Sequence, residues 1–260
     1  MGKVIGIVPL GDLFNLEKST MYDIYRIENN CSKRVAEAGG TPVSLAPVDG
    51  WVSEKALDLC DGFLVQGGAI MFPYHFQVVH HAVTYGKRLL GICLGEQLIY
   101  CYFLLRKAVE EKGGADDLVK AIYAMYKDKN RGFTLLDTVE GHWSKAMTRG
   151  QEDDVKHDID VVPGTNLCRL LNRDVFRGAS YHHMRIPAQQ DIVTVNAWAA
   201  DNSETVEGIE YGDNILGIQC HPEVDALLPE VFRFLVEKKL KKRKKGVDIN
   251  ETLCYYNINK

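Results

Sequence analysis

Three side chains in this 260-residue chain have the types and the settings for covalent chemistry: Cys93, His221 and Glu223. Cys93 lies in Gly91-Ile92-Cys93-Leu94-Gly95. Residues 88–92 are a short apolar run suited to a buried strand, and Leu94, Leu98, Cys101, Tyr102 and Leu105 recur at helical spacing. A strand that turns into a helix through G-x-nucleophile-x-G holds the nucleophile on a tight, strained turn. Glycine at both flanks lets helix and strand pack closely, where a side chain would clash. The sulfur then projects at a helix N-terminus, where unpaired N–H groups favour negative charge.

The partners lie far downstream, in Ile218-Gln219-Cys220-His221-Pro222-Glu223. Residues 215–220 read as a strand, and Pro222 biases His221 toward an extended conformation. In an extended segment residues i and i+2 point to one side, so Glu223 can orient the His221 imidazole. Nucleophile, base and orienter together are the requirements of acyl transfer through a thioester. Each motif alone has an ordinary reading: a buried strand-end cysteine between turn glycines, and a histidine in a turn before proline. Both in one chain of alternating strands and helices are harder to assign to packing.

The intervening pattern supplies the frame. Strands are expected at 4–9, 41–47, 62–66 and 88–92, and helices at 16–38, 53–59 and 74–85. Such alternation implies a parallel sheet with right-handed crossovers, and reactive groups then collect at the carboxyl ends of the strands. Cys93 and the Gly67-Gly68 pair both fall at such ends. Residues 106–150 differ: they are rich in Lys, Glu and Asp and read as a partly helical insertion, with a strand at 133–139 and a loop at 148–154. Leu118, Ile122, Met125 and Tyr126 form an apolar stripe there, expected to cover a pocket rim or to meet a second subunit. From 157 onward strands predominate, at 157–162, 192–198, 205–211 and 214–219, with 205–211 patterned as a half-exposed antiparallel strand. A helix at 229–240 closes the fold. The boundaries are one domain over 1–246 and a tail over 247–260.

Composition narrows the classes. The chain is 46% hydrophobic and 25% charged, ordinary for a globular protein, and no apolar run approaches the ~20 residues that span a bilayer. No membrane association is expected, and the N-terminus reads as a first strand rather than a secretory leader. Seven cysteines without a C-x-x-C pair argue against a disulfide framework and a structural zinc site, so a cytoplasmic setting is expected. Residues 238–245 hold seven of the 31 basic residues; the remainder has 24 basic against 35 acidic residues, a net of −11. An acidic body with a basic tail is a poor nucleic-acid binder, and no nucleic-acid partner is expected. His80-His81 lies on an expected helix whose adjacent residues face different ways, which disfavours a metal pair. Cys220, one residue from His221, should face the core, and Cys31, Cys60, Cys101, Cys168 and Cys254 read as packing or exposed thiols. Neither metal nor cofactor is expected.

The combination of Gly91-Ile92-Cys93-Leu94-Gly95-Glu96-Gln97 with His221-Pro222-Glu223 resembles the class I glutamine amidotransferase-like superfamily. Within it the chain looks most like the γ-glutamyl-γ-aminobutyrate hydrolase branch, peptidase family C26. Ala38-Gly39-Gly40-Thr41-Pro42 resembles an AGG-x-P segment, Gln66-Gly67-Gly68 with Pro73 a glycine turn, and Ser180-Tyr181-His182-His183 an NS-x-HHQ loop. The chain departs from the branch at Ala179, Met184, Leu94 and Ala69-Ile70, where Asn, Gln, Arg and an acidic residue are usual. These departures bear on substrate identity more than on catalysis.

The resemblance implies an α/β, flavodoxin-like three-layer sandwich around a mostly parallel central sheet, with some antiparallel strands in the second half. It implies an oxyanion hole from the Leu94 N–H and the Gly67-Gly68 turn, which agrees with free donors at a helix N-terminus. Ser180, Tyr181, His182 and His183 become substrate-pocket candidates; Gln97 either lines the pocket or simply follows the turn. The implied activity is a cysteine hydrolase cleaving a γ-glutamyl amide through a thioester on Cys93. A glutaminase subunit passing ammonia to a separate synthetase is the alternative, and a non-catalytic binding protein the third reading. The partners are a small γ-glutamyl substrate or glutamine, with a homodimer or a synthetase as the macromolecular options.

Overall fold

The computed structural model describes residues 2–11, 24–142, 156–201, 204–224 and 228–237. The expected loop at 148–154, the end of the last expected helix, Cys254 and the basic tail lie outside the described residues.

Five strands make the parallel half of a nine-stranded sheet: β1 (Val4–Val8), β4 (Thr41–Ser44), β5 (Gly62–Val65), β6 (Arg88–Ile92) and β13 (Ile215–Ile218). The wing is antiparallel: β12 (Val206–Tyr211), β11 (Thr194–Ala199), β8 (Lys156–Val161) and β9 (Val175–Ala179). Across the sheet the order is β4-β1-β5-β6-β13-β12-β11-β8-β9. Two small ribbons flank it, pairing β2 (Leu10–Gly11) with β3 (Tyr25–Arg26) and β7 (Asp137–Thr138) with β10 (Met184–Arg185).

Successive residues of a buried strand face opposite layers, and the core divides accordingly. Phe63, Val65 and Leu89 pack with α2 (Glu54–Leu59), α3 (Pro73–Tyr85), α4 (Leu94–Glu111) and α5 (Leu118–Asp128). Leu64, Leu90, Ile92, Leu216 and Ile218 pack with α1 (Asn29–Glu37), α6 (Asn166–Leu171) and α7 (Pro229–Val236) on the other face. The expected three-layer α/β sandwich is therefore the observed fold.

Several local expectations give way to tertiary contacts. Within the described part of the helix expected at 16–38, residues 24–28 are not helical, Tyr25–Arg26 being strand β3, and α1 starts at Asn29. Gln66 explains this: its Nε2 donates to the Val8 and Arg26 carbonyls, and its Oε1 accepts from Glu28 N–H. Those side-chain bonds occupy backbone groups that a helix would have used. Residues 12–23 lie outside the described residues.

The strand expected at 133–139 shrinks to Asp137–Thr138, because tight turns take Phe133 N–H to the Asn130 carbonyl and Leu135 N–H to that of Gly132. The half-exposed strand expected at 205–211 is antiparallel but buried from Val206 to Glu210, flanked by β11 and β13. Helix α6 and strand β9 carry no periodic signal strong enough to have been expected.

The apolar stripe of the 106–150 region packs in part within the chain. Of its residues, Ile122 and Tyr126 are buried against α3 and α4, while Leu118 and Met125 are half-buried. Phe76 of α3 sits 5.1 Å from the Tyr126 ring and 5.9 Å from that of Tyr123. Asp117 starts this helix by accepting from Lys120 N–H. Ile122 is fully buried, so Ile122→Ala should lower stability by about 2–5 kcal/mol in chemical denaturation. A change below about 0.5 kcal/mol would mean that this helix does not belong to the core.

Candidate active site

The elbow expected from sequence is present. Cys93 adopts φ 52° and ψ −105°, a conformation that costs a non-glycine residue about 1–3 kcal/mol. A Cβ on Gly91 would lie 2.4 Å from the Gly95 carbonyl oxygen, and one on Gly95 would lie 2.4 Å from that of Val65. Glycine is required at both positions because strand and helix backbones meet there. Cys93 N–H donates to the Ile218 carbonyl at 2.8 Å, fixing the turn to the neighbouring strand. Leu94 is the first residue of α4, so its N–H has no acceptor within the helix.

The second half of the site arrives along β13. β6 and β13 are parallel, with Ile92 opposite Ile218, so both strands deliver their following residues to one end of the sheet. His221 N–H donates to the Ala179 carbonyl at 2.8 Å, and His221 Nδ1 lies 2.6 Å from Glu223 Oε1. Glu223 is buried. A Cβ on Gly67 would sit 2.7 Å from His221 Cε1 and 3.5 Å from Cys93 Cβ, so this glycine backbone lies against both residues. Gly68 is packed between the Leu10 and Leu94 side chains.

Burial alone would lower the His221 pKa. The Glu223 carboxylate and the Cys93 sulfur outweigh it and hold the imidazole well above its usual value. Such a ring takes a proton from a thiol readily and keeps it while charge develops on sulfur.

The loop 180–183 divides by alternation. The Tyr181 carbonyl oxygen faces Cys93 Sγ at 3.9 Å. Ser180 and His182 point instead into a buried cluster: Ser180 Oγ is 3.2 Å from His142 Nδ1, and His182 Nε2 is 3.5 Å from Glu207 Oε1. His183 is exposed, with its carbonyl accepting from Val139 N–H. Of this group the structure therefore brings only Tyr181 to the sulfur. Gln97 is buried, its Nε2 donating to the Met184 carbonyl and to Gln219 Oε1, which braces the end of that loop.

Other expectations resolve simply. His80 and His81 part company: His80 Nδ1 meets the Tyr102 hydroxyl at 2.9 Å, while His81 faces Glu54 and Asp58. Cys220 is fully buried, and so are Cys31, Cys60, Cys101 and Cys168. Sequence reasoning missed Glu28, whose carboxyl is raised by burial and by the nearby Glu223. It also missed Glu96, His142, His157 and Glu207. The only available signal was an acidic residue set among apolar neighbours in Leu94-Gly95-Glu96 and Val206-Glu207-Gly208.

The model of the family described as glutamine amidotransferase class-I matches residues 20–229, a span that includes Cys93, His221 and Glu223. The chain belongs to that family. Its fold is shared with the Trypanosoma brucei CTPS glutaminase domain with bound acivicin, at 14% identity and TM-score 0.58, covering 90% of this chain and 92% of that one. A glutamine amidotransferase of Thermotoga maritima is similar at 15% identity and TM-score 0.52, covering 87% and 78% of the two chains. One from Methylobacillus flagellatus matches at 14% and 0.52, covering 87% and 72%. No curated protein matches. As a class-I amidotransferase domain the chain is suited to hydrolysis of an amide C–N bond. No helix among the described residues is long and apolar enough to cross a membrane.

Glu96, three residues after Cys93, is fully buried, and neither of its carboxylate oxygens has a hydrogen-bond partner among the described residues. Burial, then Glu207, then Cys93 raise its pKa well above 4.5. The folded state therefore holds a proton that the unfolded chain releases near 4.5, and stability falls as pH rises from there toward the raised value. Glu96→Gln should flatten this decline, measured as chemical-denaturation stability from pH 5 to 8. An unchanged slope would show that Glu96 does not carry the proton.

Proposed function

We propose that the chain is a cysteine amidase acting on γ-glutamyl amides, with Cys93 as nucleophile, His221 as acid–base and Glu223 as the residue that orients His221. The observation carrying this reading is the strained Cys93 elbow beside a His221–Glu223 pair at 2.6 Å, inside a class-I amidotransferase match.

In the first half-reaction the Cys93 proton passes to His221 Nε2 as sulfur bonds to the γ-carbonyl carbon. Glu223, on Nδ1, stabilises the imidazolium that forms. The carbonyl oxygen becomes an oxyanion within reach of the Leu94 N–H and a donor from the Gly67-Gly68 turn. Loss of one such donor costs about 3 kcal/mol of barrier. His221 then protonates the leaving nitrogen, the C–N bond breaks, and a γ-glutamyl thioester remains. Water gives a proton to His221 and attacks the thioester, releasing the acid and restoring the thiol.

Two fates of the leaving amine follow. In the first reading the chain hydrolyses γ-glutamyl amides on its own, as the resemblance to the γ-glutamyl-γ-aminobutyrate hydrolase branch implies. In the second, ammonia from glutamine goes to a synthetase. The likeness to a protein described as a CTPS glutaminase domain favours this second reading. We place the first ahead because the branch-like segments at 38–42 and 180–183 belong to this chain itself.

Alkylation at neutral pH should label Cys93 before the other six thiols and abolish turnover, and Cys93→Ala should be inactive. His221→Ala should lower kcat by several orders of magnitude, and Glu223→Gln by roughly tens of fold less, as an orienter contributes less than the base it holds. Equal losses for the two variants, or turnover by Cys93→Ala, would contradict these roles. A panel of γ-glutamyl amides, with the purified chain alone, separates the two readings. Release of free amine supports the hydrolase; silence until a synthetase is added reverses the order.

A further inference from the structure

Glu207 is fully buried on β12, and neither of its oxygens has a hydrogen bond of regular geometry among the described residues. Three imidazoles converge on one of those oxygens. His142 Nδ1 lies 3.2 Å from Oε1, His157 Nε2 3.4 Å and His182 Nε2 3.5 Å. These separations exceed the ~2.7–2.9 Å of a charge-assisted hydrogen bond. Each is a separation that two ligands of one zinc ion, ~2.0–2.2 Å from the metal, can adopt.

The far nitrogens of two of these rings are held by acceptors. His182 Nδ1 lies 2.9 Å from the Met184 carbonyl oxygen, which can only accept, so Nδ1 carries the proton there. His142 Nε2 lies 3.5 Å from Asp201 Oδ2, a carboxylate that favours the proton on Nε2. A neutral ring so held presents a lone pair from its other nitrogen, and in both cases that nitrogen faces Glu207 Oε1. His142 Nδ1 is also 3.2 Å from the Ser180 hydroxyl, whereas His182 Nε2 and the Glu207 oxygens have no hydrogen bond among the described residues, so a cation would satisfy groups that are otherwise buried without partners. A backbone carbonyl or carboxylate behind each imidazole is also the outer arrangement usual around metal-bound histidine.

We propose that His142, His182 and Glu207 bind one divalent cation of the zinc class. The ligand atoms of these three lie within 4.8 Å of one another. Two imidazoles and one carboxylate suit zinc, or cobalt in its place, rather than magnesium or calcium. The expectation of no metal rested on the absence of C-x-x-C and on the separated His80-His81 pair; none of those residues takes part here.

The site has a structural consequence for Cys93. His182 N–H donates to the His142 carbonyl at 3.0 Å, and Tyr181, between Ser180 and His182, places its carbonyl against Cys93 Sγ. A cation at Glu207 would tie the 142 segment and the 180–183 loop to β12 and fix the wall opposite the nucleophile. The metal positions; it does not touch the reacting atoms.

The test uses the full chain carrying Cys93→Ser, so that the thiol cannot capture metal, after stripping with a chelator and dialysis. Titration with cobalt(II) should show one equivalent bound, with the intense visible absorption of tetrahedral cobalt, displaced by one equivalent of zinc(II). Calorimetry with zinc(II) should give the same stoichiometry and a raised Tm. Glu207→Gln and His182→Gln should lose the band, and His80→Ala should keep it. Asp201→Asn touches no ligand atom and sits at a half-exposed position, so it should fold and should weaken binding about 10- to 100-fold. No uptake by the stripped chain would overturn the proposal and leave the cluster a proton-bridged ion network. Uptake that is unchanged in Asp201→Asn and Glu207→Gln would place the metal elsewhere and equally overturn it.

Discussion

The backbone of Cys93 is the constraint on which the rest depends. A residue with a Cβ is held at positive φ between a strand and a helix that touch through their main chains. Strain of that kind persists only where the surroundings over-determine it. Here the bond from Cys93 N–H to the Ile218 carbonyl anchors the turn from one side, and the contact of Gly95 with Val65 anchors it from another. Two neighbouring strands, β5 and β13, therefore set the direction of one sulfur.

The same strand pairing places the remainder of the site. With Ile92 opposite Ile218 in parallel register, the chain leaves β6 and β13 at one end of the sheet. The bond from His221 N–H to the Ala179 carbonyl then draws in β9, whose next residues reach Cys93 through Tyr181. An antiparallel edge strand and a parallel central strand so meet at the Cys93 sulfur. A register slip of one residue in β13 would turn its core face around and carry His221 away from the sulfur.

Besides Glu223, the described residues bury Glu96, Glu207 and Glu210, and each is accommodated differently. Glu210 accepts from the Asn166 and Leu167 N–H groups at the start of α6, where the helix offers free donors. Glu96 has no such donors and is held toward its protonated form. Glu207 has no hydrogen bond of regular geometry among the described residues and faces three imidazoles at 3.2, 3.4 and 3.5 Å. Packing thus gives each of these buried carboxyl groups a different environment.

Local patterns in the sequence determined much of this arrangement. Apolar runs and helical spacing marked β1, β5, β6, α3 and α4, because those elements are buried by their own periodicity. The glycines at 91 and 95 marked the elbow, because only glycine permits that approach of backbones. The pairing of His221 with Glu223 was legible from their spacing, but the extended chain expected there is a turn, with Val224 N–H donating to the His221 carbonyl. Tertiary structure decided what local pattern could not encode. Gln66 captured the backbone of residues 26–28 and delayed α1; burial on both sides removed the exposed face expected of β12; α3 and α4 covered part of the stripe on α5. Above all, His142, His157, His182 and Glu207 meet from separate segments, one of them a two-sided strand. No spacing within the sequence records a convergence that only the sheet order creates.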